Sequence, residues 1–364
     1  MSTPIDLDLS NVVTRIHDLT PPSEARKLFH WNLDGQSLTL RLDWSSLQAF
    51  SDCNKKGKYL LVDAITGAKS PALVFGAAVH AGLETLYNTP DRHNDPTLPA
   101  RISLAIQEEF DLNPVSLFDD YRTADFAMEV MRQYMEHYKA EVMQPVTFND
   151  TKLVEFGFSF PIGEVSIDSD MFEQYGYGTL TNDAKKESVW VSNCKLGDTF
   201  RYLPCIIEWT GVVDLVTQID NQIWVCDHKT TSILSSDFTD GFEMAPQPIG
   251  YLSAINKLLP TPAAGFMLNG LICRKQTKTG KGIEFTRRFY TYEDWQYTEW
   301  TSDILMLIEE FLNNLSTQNF PGRRNSCLMK WGKCPYFDTC SLNPSVRHLH
   351  INSGVYTRNI WKPV

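Results

Sequence analysis

The strongest pattern along the chain is IIEWTGVVDLVTQIDNQIWVCDHKTTS, residues 206–232. Two apolar, β-branched runs flank the polar pair Asp220-Asn221, which predicts a β-hairpin. Asp214 interrupts the first run, and Asp227-His228-Lys229 closes the second where the apolar pattern should continue. Upstream, LDWSSLQAFSDCNKKGKYLLV predicts a Ser-capped helix leading to Cys53 and a basic turn. In SPALVFGAAVHAGLETLYN, Leu73, Val74, Ala77, His80, Ala81 and Glu84 recur at helical spacing. ARISLAIQEEFDL and DFAMEVMRQYMEHYKAEV predict two more helices within 100–143, and KLVEFGFSFPI alternates like a strand. After the hairpin, EMAPQPIGYLSAINKLL predicts a helix with prolines in its first turn, where a missing N–H costs little. AAGFMLNGLICRK and IEFTRRFYTY predict strands, and EDWQYTEWTSDILMLIEEFLNN an amphipathic helix. The order describes an α/β fold, a mixed sheet flanked by helices.

Polarity also divides the chain. Residues 1–40 form an N-terminal arm, irregular and polar over 1–35, and 41–345 carry the regular elements. Within them 163–200 is a loop-rich insertion and 320–345 a cysteine-bearing tail. Residues 346–364 form a C-terminal extension. The 364 residues are 43% hydrophobic, with no unbroken apolar run of the roughly 18–20 residues a membrane span needs. The first residues show no basic start followed by an apolar block, so a cytoplasmic location is expected. There, eight cysteines serve as thiols or metal ligands more readily than as disulfides. A net charge of −11 argues against a protein that coats nucleic acid. It leaves room for a local basic track, and Arg274, Lys275, Lys278, Lys281, Arg287 and Arg288 fall within 15 residues, against Glu284 alone. No G-x-x-x-x-G-K-[ST] motif occurs, so no nucleotide cofactor is expected.

A carboxylate inside an apolar strand needs a partner, because burying it alone is costly. Asp214 and Asp227, on the two strands of one hairpin, would meet and repel. A divalent cation between them relieves the repulsion, and oxygen donors suit Mg²⁺ or Mn²⁺. Lys229, two residues beyond Asp227, shares its face and would stabilise charge on a phosphate or orient a water. The plain alternative is a surface hairpin with an Asp–Lys ion pair.

Gly76-x-x-x-His80-x-x-x-Glu84, Gly211-x-x-Asp214, Asp227-x-Lys229 and Gln247-x-x-x-Tyr251, in that order, resemble the PD-(D/E)XK nuclease superfamily, and within it the RecB-like branch. The resemblance implies a restriction-endonuclease-like fold. It implies His80, Asp214 and Asp227 as metal ligands, the His228 carbonyl as a further one, and Lys229 as the catalytic lysine. Gln247 and Tyr251 would contact DNA and support the lysine, while Glu84 buttresses His80. Arg274 and Lys275 are the expected phosphate contacts.

Cys327, Cys334 and Cys340 are spaced C-x6-C-x5-C, with Cys53 far upstream. Four thiolates can hold zinc or a [4Fe–4S] cluster, although the C-x2-4-C knuckle usual for zinc is missing. One cysteine before the core and three after it resemble the iron–sulfur staple of RecB-like nucleases, a group that includes AddB-type subunits and the CRISPR-adaptation exonucleases. That resemblance implies a [4Fe–4S] cluster pinning the C-terminal tail, with no redox part in hydrolysis. Cys194, Cys205, Cys226 and Cys273 read as small buried hydrophobes. The function expected is a Mg²⁺- or Mn²⁺-dependent DNA exonuclease acting on ends or single strands in recombination, repair or replication. A helicase or recombination protein is the expected partner. The alternatives are a silent DNA- or partner-binding module on the same scaffold and a zinc-stabilised DNA-binding protein.

Overall fold

The computed structural model describes residues 29–31, 38–115, 120–141, 143–168, 181–182, 187–188, 202–275, 282–317, 319–329 and 332–358. Its elements run β1 (Phe29–Trp31), β2 (Leu38–Leu42), α1 (Trp44–Asp52), β3 (Ile65–Thr66), α2 (Pro71–Asn88), α3 (Leu98–Leu112), α4 (Ala124–His137), β4 (Gln144–Pro145) and β5 (Val154–Asp168). There follow β6 (Tyr202–Ile219), β7 (Gln222–Thr231), α5 (Pro246–Leu258), β8 (Gly265–Cys273), β9 (Ile283–Tyr290), α6 (Asp294–Thr317), α7 (Phe337–Ser341) and β10 (Thr357–Arg358). The chain divides into two compact units. The first comprises 1–67, 159–211 and 298–364; the second comprises 68–158 and 212–297.

In the second unit the sheet order is β4-β6-β7-β8-β9, with β6 entering at Val212. β6 and β7 pair antiparallel, β7 and β8 parallel, and β8 and β9 antiparallel, so the sheet is mixed. Asp220 and Asn221 both adopt positive φ, 47° and 63°, the geometry of the tight hairpin turn that short polar residues tolerate. The parallel β7–β8 pair requires a crossover, which α5 supplies as it packs on both strands. Every residue of β8 is buried, as expected of a central strand covered on both faces. Met267, Leu271 and Cys273 join a core with α2, α3 and α4, built on Phe75, Val79, Leu83, Ile102, Val130 and Tyr134. Phe266, one residue out of step with Met267, stacks instead on Phe242 at 5.9 Å.

Ser70 caps α2 by accepting the Leu73 N–H, and Pro71 occupies its first turn, where no N–H is needed. The buried stripe of α2 runs through Phe75, Val79, Gly82 and Leu86, and Leu73 is left 66% exposed. Gly76 is where α2 comes close to β7: a Cβ there would stand 3.2 Å from Thr230 Oγ1. The cap of α1 is Asp43, whose Oδ1 accepts the Ser46 N–H at 2.7 Å, rather than the following serines.

In the first unit β1 pairs antiparallel with β2, and β2 pairs parallel with β6 over Cys205–Trp209. The expected arm thus contains two strands, and its boundary at residue 40 falls inside β2. The core here gathers Leu40, Leu47, Phe50, Trp209, Trp300 and Phe311, all nearly inaccessible. β10 pairs with β3, so part of the C-terminal extension belongs to this unit. The insertion expected at 163–200 begins as strand, since β5 continues to Asp168; most of the remainder, Cys194 included, lies outside the described residues. Among the described residues no helix is long and apolar enough to cross a membrane.

Candidate functional site

The β6–β7 ladder runs from the turn to Leu215↔Cys226. One step beyond that pair, the same register sets Asp214 beside Asp227. Asp214 is 7% exposed and Asp227 1%. Burial first, and then the negative charge of Asp227, push the Asp214 carboxyl well above the usual carboxylate range. Alternation along β7 puts Lys229 on the face of Asp227, and its Nζ lies 2.9 Å from Asp227 Oδ1 and 2.8 Å from Oδ2. The geometry at Oδ2 is that of an ion-pair contact only: the atom is buried and accepts no hydrogen bond. One third of the Lys229 side chain remains exposed. Burial works against its ammonium, but Asp227 and Asp214 outweigh it and lift the pKa above the ordinary lysine value.

From α2, His80 reaches this pair, with Nδ1 3.6 Å from Asp214 Oδ2. The same nitrogen is 3.8 Å from Glu155 Oε1. Burial disfavours the imidazolium; the Glu155 carboxylate as acceptor and the charges of Asp214 and Asp227 reverse the balance and raise the pKa to about 9. Ligand atoms of His80, Glu155 and Asp214 all lie within 4.8 Å of one another.

Glu155 is the member that sequence reasoning missed. It stands at the start of β5 with φ 45°, a left-handed conformation that a non-glycine residue adopts at a cost. The Val216 N–H donates to the Leu153 carbonyl at 2.8 Å, tying the entry of β5 to β6 two residues from Glu155. The available signal was a lone carboxylate in the alternating stretch KLVEFGFSFPI, of the same kind as Asp214 in its own strand.

The remaining candidates take separate places. Glu84 lies outside the triad on the exposed side of α2; burial and then the Glu155 charge raise its carboxyl pKa. The His228 ring does not join the cluster: it is buried, stacks on Tyr87 at 5.8 Å and lies with Nδ1 2.8 Å from Asn269 Nδ2. Its backbone N–H donates to Asp214 Oδ2 at 2.6 Å. Gln247 Nε2 donates to the Tyr251 hydroxyl at 2.7 Å, so the two residues act on α5 as one pair. Arg274 is engaged by Glu284 at 3.3 Å, and Lys275 is exposed. Lys278 and Lys281 lie outside the described residues. Arg287 turns inward to pair with Glu141 and to stack 3.8 Å above the Tyr138 ring, so it leaves the expected basic track.

Residues holding a divalent ion should be anionic, close together and short of hydrogen bonds. Glu155 and Asp214 supply the charge and lie close together with the His80 imidazole, and Asp227 Oδ2, on the neighbouring strand, is short of hydrogen bonds. Without a cation, His80 carries the compensating proton. The donor set fits a hard divalent ion.

The other candidate centre belongs to the first unit. The Arg323 N–H donates to Cys53 Sγ at 3.3 Å, and the Cys334 N–H to the Cys327 carbonyl at 2.9 Å. Burial pushes the Cys334 and Cys340 thiols up. Lys56 pulls the first back, and Lys55 and Arg347 the second; the charge of Cys53 reaches both. Among the described residues no three of these sulfurs fall within 4.8 Å of one another. Cys205, Cys226 and Cys273 are buried, as expected of small apolar side chains.

A mixed sheet flanked by helices that presents two adjacent aspartates, a lysine on the same face and a helical histidine is the arrangement of a metal-dependent nuclease. The chain belongs to the PD-(D/E)XK nuclease superfamily, whose family model matches residues 41–341. Among solved structures it is similar to a "Putative exonuclease" from Eubacterium rectale at 12% identity and a TM-score of 0.42, over 89% of this chain and 90% of that one. No curated protein matches the sequence.

Proposed function

We propose that this nuclease is a deoxyribonuclease of the RecB-like branch that requires Mg²⁺ or Mn²⁺ and degrades DNA from ends or as single strands. The observation that carries the reading is the convergence of His80, Asp214 and Glu155 beside the Asp227–Lys229 pair. His80, Asp214, Glu155 and Asp227 would hold the ion, with the His228 carbonyl as a further donor. A bound divalent ion supplies Lewis-acid activation of the scissile phosphate. Lys229, kept cationic by Asp227 and Asp214, stabilises negative charge as it grows on the phosphate oxygens. Its raised pKa suits that part better than proton abstraction. Gln247 and Tyr251 offer amide and phenol groups to the DNA strand, Lys275 an exposed cation to its backbone, and Glu84 steadies the His80 helix face.

Cys53, Cys327, Cys334 and Cys340 would hold a [4Fe–4S] cluster, a reading supported by their order along the chain, one cysteine before the core and three after it. Its part is to fasten the cysteine tail of 320–345, within a nuclease domain of 41–345. The sequence carries no G-x-x-x-x-G-K-[ST] motif, so ATP-driven unwinding would fall to a helicase or recombination partner in the cytoplasm. The test is cleavage of 5′- and 3′-end-labelled single- and double-stranded DNA with Mg²⁺ or Mn²⁺. Asp227→Ala should abolish cleavage and Lys229→Ala should cut it at least about 30-fold, with the fold retained in both. Unchanged cleavage in either sinks the assignment. Iron and sulfide analysis, with a visible absorption spectrum, decides the cluster against zinc. The intact Asp214, Asp227 and Lys229 tell against a silent binding module.

A further inference from the structure

Asp214 is aimed by a main-chain group. Beyond Leu215↔Cys226, the last pair of the β6–β7 ladder, the His228 N–H turns to Asp214 Oδ2 at 2.6 Å. The direction of that carboxylate therefore depends on how firmly residue 228 is held. Its ring is gripped by its neighbours: parallel to Tyr87 within 10°, edge-on to His80 at 5.9 Å, Nδ1 2.8 Å from Asn269 Nδ2 and 3.7 Å from Cys226 Sγ. Asn269 stands opposite His228 in the β7–β8 register and is fully buried. Asn269 Oδ1 accepts from Arg287 Nε at 3.2 Å, and Nδ2 also reaches the Tyr134 hydroxyl at 3.0 Å. Arginine has only donors, so the Asn269 amide must turn its oxygen to Arg287 and its NH₂ to His228. The amide has one orientation available, and the imidazole one acceptor position.

We propose that Asn269 and the His228 side chain are positioning residues for the metal centre, holding the backbone at residue 228 so that its N–H directs the Asp214 carboxylate toward His80 and Glu155. Neither side chain touches the ion: Asn269 acts through the main chain at residue 228, and the His228 ring, which also stands edge-on to the His80 ring at 5.9 Å, keeps that ring contact in His228→Phe. The proposal rests on the reading of the triad as a metal site. Groups that orient ligands typically alter metal affinity 10–100-fold when removed.

The test is Mn²⁺ binding by calorimetry and by the resonance of free Mn²⁺, on the full chain without DNA. Asn269→Leu removes all three amide contacts, to His228, Arg287 and Tyr134, at similar size, and His228→Phe keeps a ring against Tyr87 while losing Nδ1. Each should raise the Mn²⁺ dissociation constant about tenfold, and the double variant should bind no worse than the weaker single, because both act through one hydrogen bond. The Mn²⁺ concentration giving half-maximal cleavage should move by the same factor. An unchanged dissociation constant in both single variants, whatever their melting temperatures, overturns the proposal, as does a double variant whose effect is the product of the singles. If Asn269→Leu does not fold, His228→Phe decides alone. Asp214→Asn serves as the reference: loss of binding there, with normal binding in the other two, removes the positioning claim and leaves the metal site standing. A wild-type chain that binds no Mn²⁺ removes both.

Discussion

Replacing Lys229 by methionine removes a charge and keeps most of the volume. The Lys229 ammonium sits 2.8–2.9 Å from both Asp227 oxygens, and a third of the side chain is open to solvent, where a phosphate would arrive. An ammonium about 4 Å from an oxyanion contributes about 4 kcal/mol at an effective dielectric of about 20. Exposure of that third reduces the figure to about 2–3 kcal/mol. At about 1.4 kcal/mol per tenfold, the expected loss in the cleavage step is about 30- to 150-fold. The sign with pH follows from the raised Lys229 pKa. If the lysine acts as a cation, its charge is complete through pH 7–9 and the loss is the same at both ends. If it acted as a base, the wild-type rate would climb with pH as the neutral amine accumulated, and the loss would grow from pH 7 to pH 9. The assay is single-turnover cleavage of end-labelled DNA at saturating Mn²⁺, at pH 7 and pH 9. A loss below about fivefold, or one that grows with pH, refutes the electrostatic role.

Glu155→Gln keeps shape and removes one anion from the triad, so Mn²⁺ affinity should fall at least about tenfold while the circular dichroism spectrum is retained; equal affinity would exclude Glu155 from the ligand set. Arg287→Met should destabilise the chain by about 2–4 kcal/mol in urea, because Glu141 is left buried with Arg92 at 3.5 Å and the Tyr87 hydroxyl at 3.2 Å, both on Oε2, and loses the cation at Oε1. Adding Glu141→Gln should restore at least half of that, and failure to do so would show that the loss comes from packing over Tyr138.

Asp214, Asp227 and Lys229 were legible because each breaks a local rule. A carboxylate in a run of Val, Ile and Leu is costly unless something compensates, and alternation alone puts residues 227 and 229 on one face. The hairpin was equally legible, since Asp220-Asn221 tolerates the positive φ that its turn requires. Period and turn chemistry act over a few residues, and a linear reading reaches that far.

Only the tertiary structure decided which distant groups meet. Glu155 lies about 60 residues from Asp214 in the chain, and what places it is the pairing of β5 with β6, the Val216–Leu153 backbone hydrogen bond just before β5, and a strained φ. Arg287 belongs by composition to a basic track, yet strand register sets it opposite Asn269 and hands it to Glu141. The His228 ring, next in sequence to two site residues, faces the helical core because successive residues of a strand point to opposite sides. The sequence by itself determined the element order, the hairpin and the chemical types at its end. Pairing between strands far apart in the chain, which no local preference encodes, determined which charges share a site and which are spent on holding it.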